Sequence, residues 1–255
     1  MSMNNEKKLK NLLAVHLTGT VCVASWLEKQ GISKALQQRY RNSGWLESVG
    51  RGAFKRPNED VTWQGGLYAL QVQSSLPVHA GALTALSLQG YAHYVRLGAE
   101  RVFLFSPPKN NLPAWFKNKD WGQAVHHYKT SVFAPDLALS DYQVGTFSIK
   151  ISTPERAILE CLHLSPDKVG LVEVYQIMEG LTTLRPKLLQ PLLEQCSSVK
   201  VKRLFLYMAD KTGYPWAKRL DRDKFDLGVG DRAITKDGVY VSSYGLSLPK
   251  ELVNL

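Results

Sequence analysis

The sequence predicts an α+β protein: a small helical domain closed by a basic hairpin over residues 1–57, then a larger mixed α/β domain over 58–255. Three observations carry that prediction. Between Thr20 and Arg56 the apolar spacing passes from a helical period to a hairpin, with a glycine at each point where the chain must turn. Beyond Arg101 the period switches repeatedly between short strand-like and helix-like runs. The chain has 255 residues and is 44% hydrophobic, enough to fill one large core or two ordinary ones.

Residues 5–16 read as a first helix with Leu9, Leu12 and Leu13 on one side. Val21, Ala24 and Leu27 give a short second helix its apolar face, and the Gly31-Ile32 corner closes it, glycine permitting the tight turn into a third helix. Ser33 offers an N-cap oxygen to that helix, which runs to about Ser43. At about 100° per residue, Leu36 and Tyr40 share the inward face while Lys34, Gln37, Gln38 and Arg41 fall on the other. After Gly44, Trp45-Leu46-Glu47-Ser48-Val49 and Ala53-Phe54-Lys55-Arg56 form a hairpin with Arg51 at its tip, stopped by Pro57. Together these are the parts of a winged helix-turn-helix.

The side chains on those parts suit DNA. Arginine and lysine donate to guanine O6 and N7, and glutamine pairs bidentately with adenine. Lys34, Gln37, Gln38 and Arg41, with Ser33 at the helix start, are therefore the expected major-groove readers, and Arg51, Lys55 and Arg56 the expected phosphate or minor-groove contacts. From Ser33 to Arg56 six basic residues stand against Glu47 alone. The competing reading is a solvated basic face, or a helix-turn-helix used to dock protein. The whole chain carries +10, but the excess is uneven: residues 77–195 hold eleven Lys/Arg and ten Asp/Glu, so the basic surface belongs to the two ends.

Downstream of a polar linker at Asn58-Glu59-Asp60, Trp63 to Gln73 reads as helical despite Gly65-Gly66, and His79 to Gln89 as a second helix bounded by Pro77 and Gly90. Their small residues imply close helix packing. Val102 to Phe105, Ala124 to Tyr128 and Thr146 to Ile151 read as strands of a small mixed sheet. Ser152-Thr153-Pro154-Glu155 is a helix start, with proline in the first turn, for a helix reaching about His163. Helices near Lys168 to Glu179 and Pro186 to Gln195 follow, then a helix-like stretch from Val199 to Met208. The last forty residues alternate short strands with turns at Gly228, Gly230 and Asp237-Gly238.

The run Gly31-Ile32-Ser33-Lys34, Ser43-Gly44-Trp45-Leu46 and Gly50-Arg51-Gly52-Ala53-Phe54 resembles the N-terminal domain of the AbiEi-type antitoxins of bacterial type IV toxin–antitoxin systems. Val78 to Leu83, Ile149 to Glu160 and Asp231-Arg232 to Leu246 resemble that family's second domain. The resemblance implies a repressor that binds inverted repeats upstream of its own operon, two copies arranged symmetrically on double-stranded DNA, and a nucleotidyltransferase-like toxin as its counterpart. The type IV label implies that neutralisation need not involve a stable complex with that toxin. Two other readings stay open: a ligand-sensing winged-helix transcription factor without a toxin partner, and an enzyme acting on RNA or nucleotides that docks through its winged helix.

Other features argue against chemistry at a fixed site. His126-His127 are adjacent strand residues that point to opposite faces and cannot both meet one ion. Asp221, Asp223 and Asp226 alternate with Arg219, Arg222 and Lys224, the pattern of a self-neutralised surface. Gly228-Val229-Gly230-Asp231 lacks the strand-turn-helix setting of a dinucleotide loop. Glu155-Arg156 divide between a functional role and a helix-capping carboxylate beside a surface arginine. Lys200, Lys202, Arg203, Lys218, Arg219 and Arg222, with Lys211 and Lys224, form a candidate second basic surface, for which solvated helix and loop faces are the competing explanation. No catalytic, metal or cofactor motif emerges. Cys22, Cys161 and Cys196 are odd in number and far apart, as in a reducing cytoplasm. The Lys7 to Ser25 stretch superficially resembles a signal peptide, but His16 and Thr18-Gly19-Thr20 interrupt its apolar run, so neither export nor membrane insertion is expected.

Overall fold

A computed structural model describes residues 3–91 and 101–255. The N-terminal elements are α1 (Met3–Val15), β1 (Cys22–Val23), α2 (Ala24–Lys29), α3 (Lys34–Asn42), β2 (Glu47–Gly50) and β3 (Ala53–Lys55). Their order, and a three-stranded sheet arranged β1-β3-β2, are consistent with the winged helix read from the sequence. Local chemistry explains each turn. Gly31 takes φ +78°, a left-handed conformation that side-chain-bearing residues avoid, and it closes α2 as expected. The Ser33 hydroxyl then accepts the Leu36 N–H at 3.4 Å to cap α3. β2 and β3 pair antiparallel, Ser48 opposite Phe54, and the Arg51-Gly52 turn between them forms the wing tip. Leu9, Leu12, Leu27, Ile32, Leu36, Tyr40, Leu46 and Phe54 make one apolar core beneath these elements.

The following elements are α4 (Trp63–Tyr68), running into a π-helical turn (Ala69–Gln73), then β4 (His79–Ala80), α5 (Ala82–Leu88), β5 (Arg101–Ser106), α6 (Ala114–Asn118), β6 (Ala124–Lys129), β7 (Leu139–Val144) and β8 (Phe147–Ser152). The helical segment at 63–73 agrees with the sequence reading; the predicted helix at 79–89 starts later, because its first two residues join a sheet. Five strands pair in the order β6-β5-β4-β8-β7, with Ala80 of β4 parallel to Ile151 of β8. The C-terminal part adds α7 (Pro154–Leu164), α8 (Leu171–Gly180), α9 (Pro186–Gln195), α10 (Val199–Thr212), β9 (Arg232–Ala233), β10 (Val239–Val241), β11 (Leu246–Leu248) and α11 (Lys250–Asn254). β9, β10 and β11 form a small sheet ordered β10-β11-β9.

The chain divides into two compact units: Met1–His79 with Ser106–Val125 and Asp141–Lys150, and Ala80–Phe105 with His126–Ser140 and Ile151–Leu255. This division differs from one at 57/58, and the first unit shows why. The buried Gln73 side chain acts like a neighbouring strand: its Oε1 accepts the Val23 N–H at 2.8 Å and its Nε2 donates to the Val21 carbonyl at 2.8 Å. That contact ties residues 63–73 to β1. Gly65 completes the joint, since a Cβ there would sit 1.9 Å from the Gly19 carbonyl oxygen, an approach only glycine allows. Gly66 similarly faces the rings of Trp121 and Phe116.

Within the second unit, two family-like segments meet on one carboxylate. Buried Glu160 of α7 accepts the Ala82 N–H at 2.9 Å and the Ser152 hydroxyl at 2.8 Å through Oε2, and the Arg156 Nε–H at 2.8 Å through Oε1. Arg156 is 4% exposed and also donates to the carbonyls of Ala134, Pro135 and Leu137. Of the two alternatives for Arg156, the surface arginine is thereby corrected: α7 is buried on nearly every side, and the guanidinium finds its acceptors in the chain before Ala138. Glu155 is pulled two ways, burial raising its pKa and three hydrogen bonds from Arg185 lowering it, with the net shift downward.

Candidate nucleic-acid interface

α3 exposes a polar face on which Lys34, Gln38, Arg39, Arg41 and Asn42 all reach solvent. Arg41 Nη1 donates to Gln38 Oε1 at 3.1 Å, and Gln38 Nε2 donates to Asn42 Oδ1 at 2.8 Å, a row set by helical i, i+3 and i+4 spacing. The Arg41 guanidinium also lies 5.9 Å from the centre of the Phe54 ring on β3, linking helix and wing. Arg51 stands exposed at the wing tip and Trp45 is exposed just after α3. Such a face offers hydrogen-bond donors, fixed positive charge and one flat aromatic surface, the equipment for contacting phosphates and base edges.

Of the expected readers and phosphate contacts, Ser33, Lys34, Gln38, Arg41 and Arg51 lie on this exposed run. Gln37 does not: it is 4% exposed, and its Nε2 donates to the carbonyls of Ala24 at 3.1 Å and Ile32 at 3.0 Å. It locks the helix-turn-helix corner, because a residue about 100° from Leu36 sits at the border of the apolar face and can swing inward. Arg56 also turns inward, donating through Nη2 to the Leu13 carbonyl at 2.6 Å and to the His16 carbonyl, where α1 ends. Lys55 is held by Glu47 Oε1 at 3.2 Å and the Glu59 carbonyl at 2.8 Å. These three are corrections to the expected DNA-contacting set. Arg39, counted in the sequence only toward the basic charge, and Asn42, not singled out there, join the exposed face; the spacing of Asn42 four residues after Gln38 is the available signal.

The candidate second basic surface is corrected as well. Lys202 is 3% and Arg203 7% exposed. Arg203 donates to the carbonyls of Leu227, Gly228 and Gly230 at 2.8, 3.0 and 2.7 Å, so it ties a loop to α10 instead of facing solvent. Lys200 caps the end of α7 through the carbonyls of His163 and Ser165, and burial lowers its pKa. Arg222 pairs with Asp210, and Lys224 with Asp221 at 3.2 Å. Only Lys218 and Arg219 of the six named residues are exposed.

A cleft of about 440 Å³ lies beside this cluster, walled by Arg203, Leu206, Arg222, Leu227 and Tyr244. Of its charged groups, Arg222 pairs with Asp210, Arg203 donates to backbone carbonyls, and Asp231 accepts the Tyr240 hydroxyl at 2.9 Å. The Arg222 hydrogen bond holds Asp210 below the usual carboxylate range, while burial and then the bond to Asp210 push the Tyr244 hydroxyl up to about 12. Among the described residues, no group of three or more His, Cys, Asp or Glu is placed to hold a metal ion, and no helix is long and apolar enough to cross a membrane.

Comparison with known proteins covers nearly the whole chain. Residues 5–97 match the family model described as the AbiEi antitoxin N-terminal domain of transcriptional regulators, and residues 99–249 match that of the transcriptional regulator, AbiEi antitoxin, type IV toxin–antitoxin system. No curated protein matches the sequence. The crystal structure of the RV2827C protein from Mycobacterium tuberculosis is similar in fold, with a TM-score of 0.61 at 15% identity, covering 95% of this chain and 90% of that one.

Proposed function

The chain belongs to the AbiEi antitoxin family of transcriptional regulators from type IV toxin–antitoxin systems, and from that premise we propose that residues 1–57 are its DNA-binding module and repress its own operon. The observation that carries this reading is the exposed donor face of α3 next to the exposed Arg51 wing. Lys34, Gln38, Arg39 and Arg41 would enter the major groove, and Arg51 would hold phosphate or reach the minor groove. Paired half-sites would bring two copies together on inverted repeats. Residues 58–255 would counter a nucleotidyltransferase-like toxin in the cytoplasm, by binding or regulation and not by catalysis. A ligand-sensing regulator is favoured less, because Arg203, Arg222 and Asp231 of the cleft described above are engaged by backbone carbonyls, Asp210 and the Tyr240 hydroxyl respectively.

Binding to the DNA upstream of its own gene, against scrambled DNA across a salt series, tests the reading. Specific, salt-dependent binding in two steps is expected, and equal affinity for both DNAs would reduce the winged helix to a docking module. Arg41→Ala should cost about 1–3 kcal/mol on the operator and relax its sequence preference. Arg51→Ala should weaken operator and scrambled DNA alike and lower the salt slope by about one unit.

A further inference from the structure

The exposed row on α3 restricts what it can read. Arginine carries only donors, so the Gln38 amide must turn its oxygen toward Arg41 Nη1, at 3.1 Å. Its nitrogen then faces Asn42 Oδ1, at 2.8 Å, which leaves the Asn42 amide nitrogen outward. A glutamine that pairs bidentately with adenine needs its oxygen and nitrogen side by side toward the base. Here the two ends are taken by residues three and four positions along the same helix. What the row chiefly offers is donors: the remaining guanidinium N–H groups of Arg41, one amide N–H of Gln38, both amide N–H groups of Asn42, and the Lys34 ammonium. Only guanine presents two adjacent acceptors, O6 and N7, in the major groove. Arg41 is further steadied by the Phe54 ring, whose centre lies 5.9 Å from its guanidinium carbon.

We propose that Arg41 reads a guanine in each half-site and that Gln38 is a positioning residue for it, with Asn42 anchoring Gln38, so that this helix has no glutamine–adenine contact. The inference rests on the DNA-binding reading above. It predicts one G·C pair per half-site whose replacement costs the wild-type protein about tenfold or more in affinity, with a similar loss when 7-deazaguanine removes N7 alone.

The test measures the full-length protein on its operator with each base pair changed in turn, using wild type, Arg41→Ala, Gln38→Ala and Gln38→Glu. Arg41→Ala should erase the penalty at that one guanine. Gln38→Ala should weaken the penalty at the same position, and Gln38→Glu, which keeps an oxygen for Arg41 and loses the amide nitrogen, should retain most of it. Loss of preference at a separate A·T pair in Gln38→Ala would overturn the proposal by making Gln38 an independent reader. So would an Arg41→Ala that weakens every sequence equally, which is a phosphate contact. Either result leaves operator binding by wild type intact and sinks only this inference, whereas a wild type indifferent to the operator sinks the DNA-binding reading with it.

Discussion

Replacing Glu160 with alanine is expected to cost about 3–5 kcal/mol of stability, the range for removing one partner of a buried ion pair. The carboxylate is 1% exposed and compensates the Arg156 guanidinium, itself 4% exposed. Without it the charge stays buried, because Arg156 remains fixed by the carbonyls of Ala134, Pro135 and Leu137 and lies 5.8 Å from the Phe133 ring centre. Glu160 also satisfies the backbone N–H of Ala82, whose φ of +46° is unfavourable for a residue with a side chain. The neighbouring Gly81 makes room for that carboxylate, since a Cβ there would lie 2.1 Å from Glu160 Oε2. Glu160→Gln, which keeps an acceptor and loses the charge, should fall between alanine and wild type. Urea unfolding midpoints provide the measurement, with Lys224→Ala as the control. That residue belongs to an ion pair whose side chains are 64% and 50% exposed, and its loss should cost less than about 1 kcal/mol. A Glu160→Ala change no larger than the control would show that the network only fills space.

The contrast between those two pairs also marks what could be read in the sequence. Elements governed by neighbours in the chain were legible: Gly31 and Ser33 bracket the helix-turn-helix corner, glycines frame the wing, and Pro186 opens α9 at the residue expected. Elements defined by distant partners were not. β4 is two residues long and exists through its pairing with β8; α6 spans five residues, too few to show a helical period. β7 alternates half-buried and exposed residues and lacks an apolar face to betray it. The same limit governed the site. A polar or basic side chain reads as a surface group until a backbone carbonyl claims it, and Gln37, Arg56, Arg156, Lys200 and Arg203 are all claimed in this way. Lys34, Gln38, Arg41 and Arg51 kept their expected exposure because helical phase and the hairpin turn alone place them outward.

Arg56 turns that distinction into a second large effect. Arg56→Ala should lower stability by about 2–4 kcal/mol, since it removes charge-assisted hydrogen bonds to two carbonyls at the end of α1. Lysine should not rescue it, because a single ammonium does not reproduce the planar fork of a guanidinium. The loss also reaches His16, which sits where α1 ends, is buried, and bonds through Nε2 to the Thr20 carbonyl at 2.9 Å. A phosphate contact predicts the opposite pair of results. It would leave the melting temperature near wild type and reduce the salt slope of DNA binding by about one unit, as expected for Arg51→Ala. Measured below its melting transition, Arg56→Ala should instead keep the wild-type slope while melting earlier. A lowered slope with an unchanged melting temperature would return Arg56 to the DNA-binding face and require α1 to close without it.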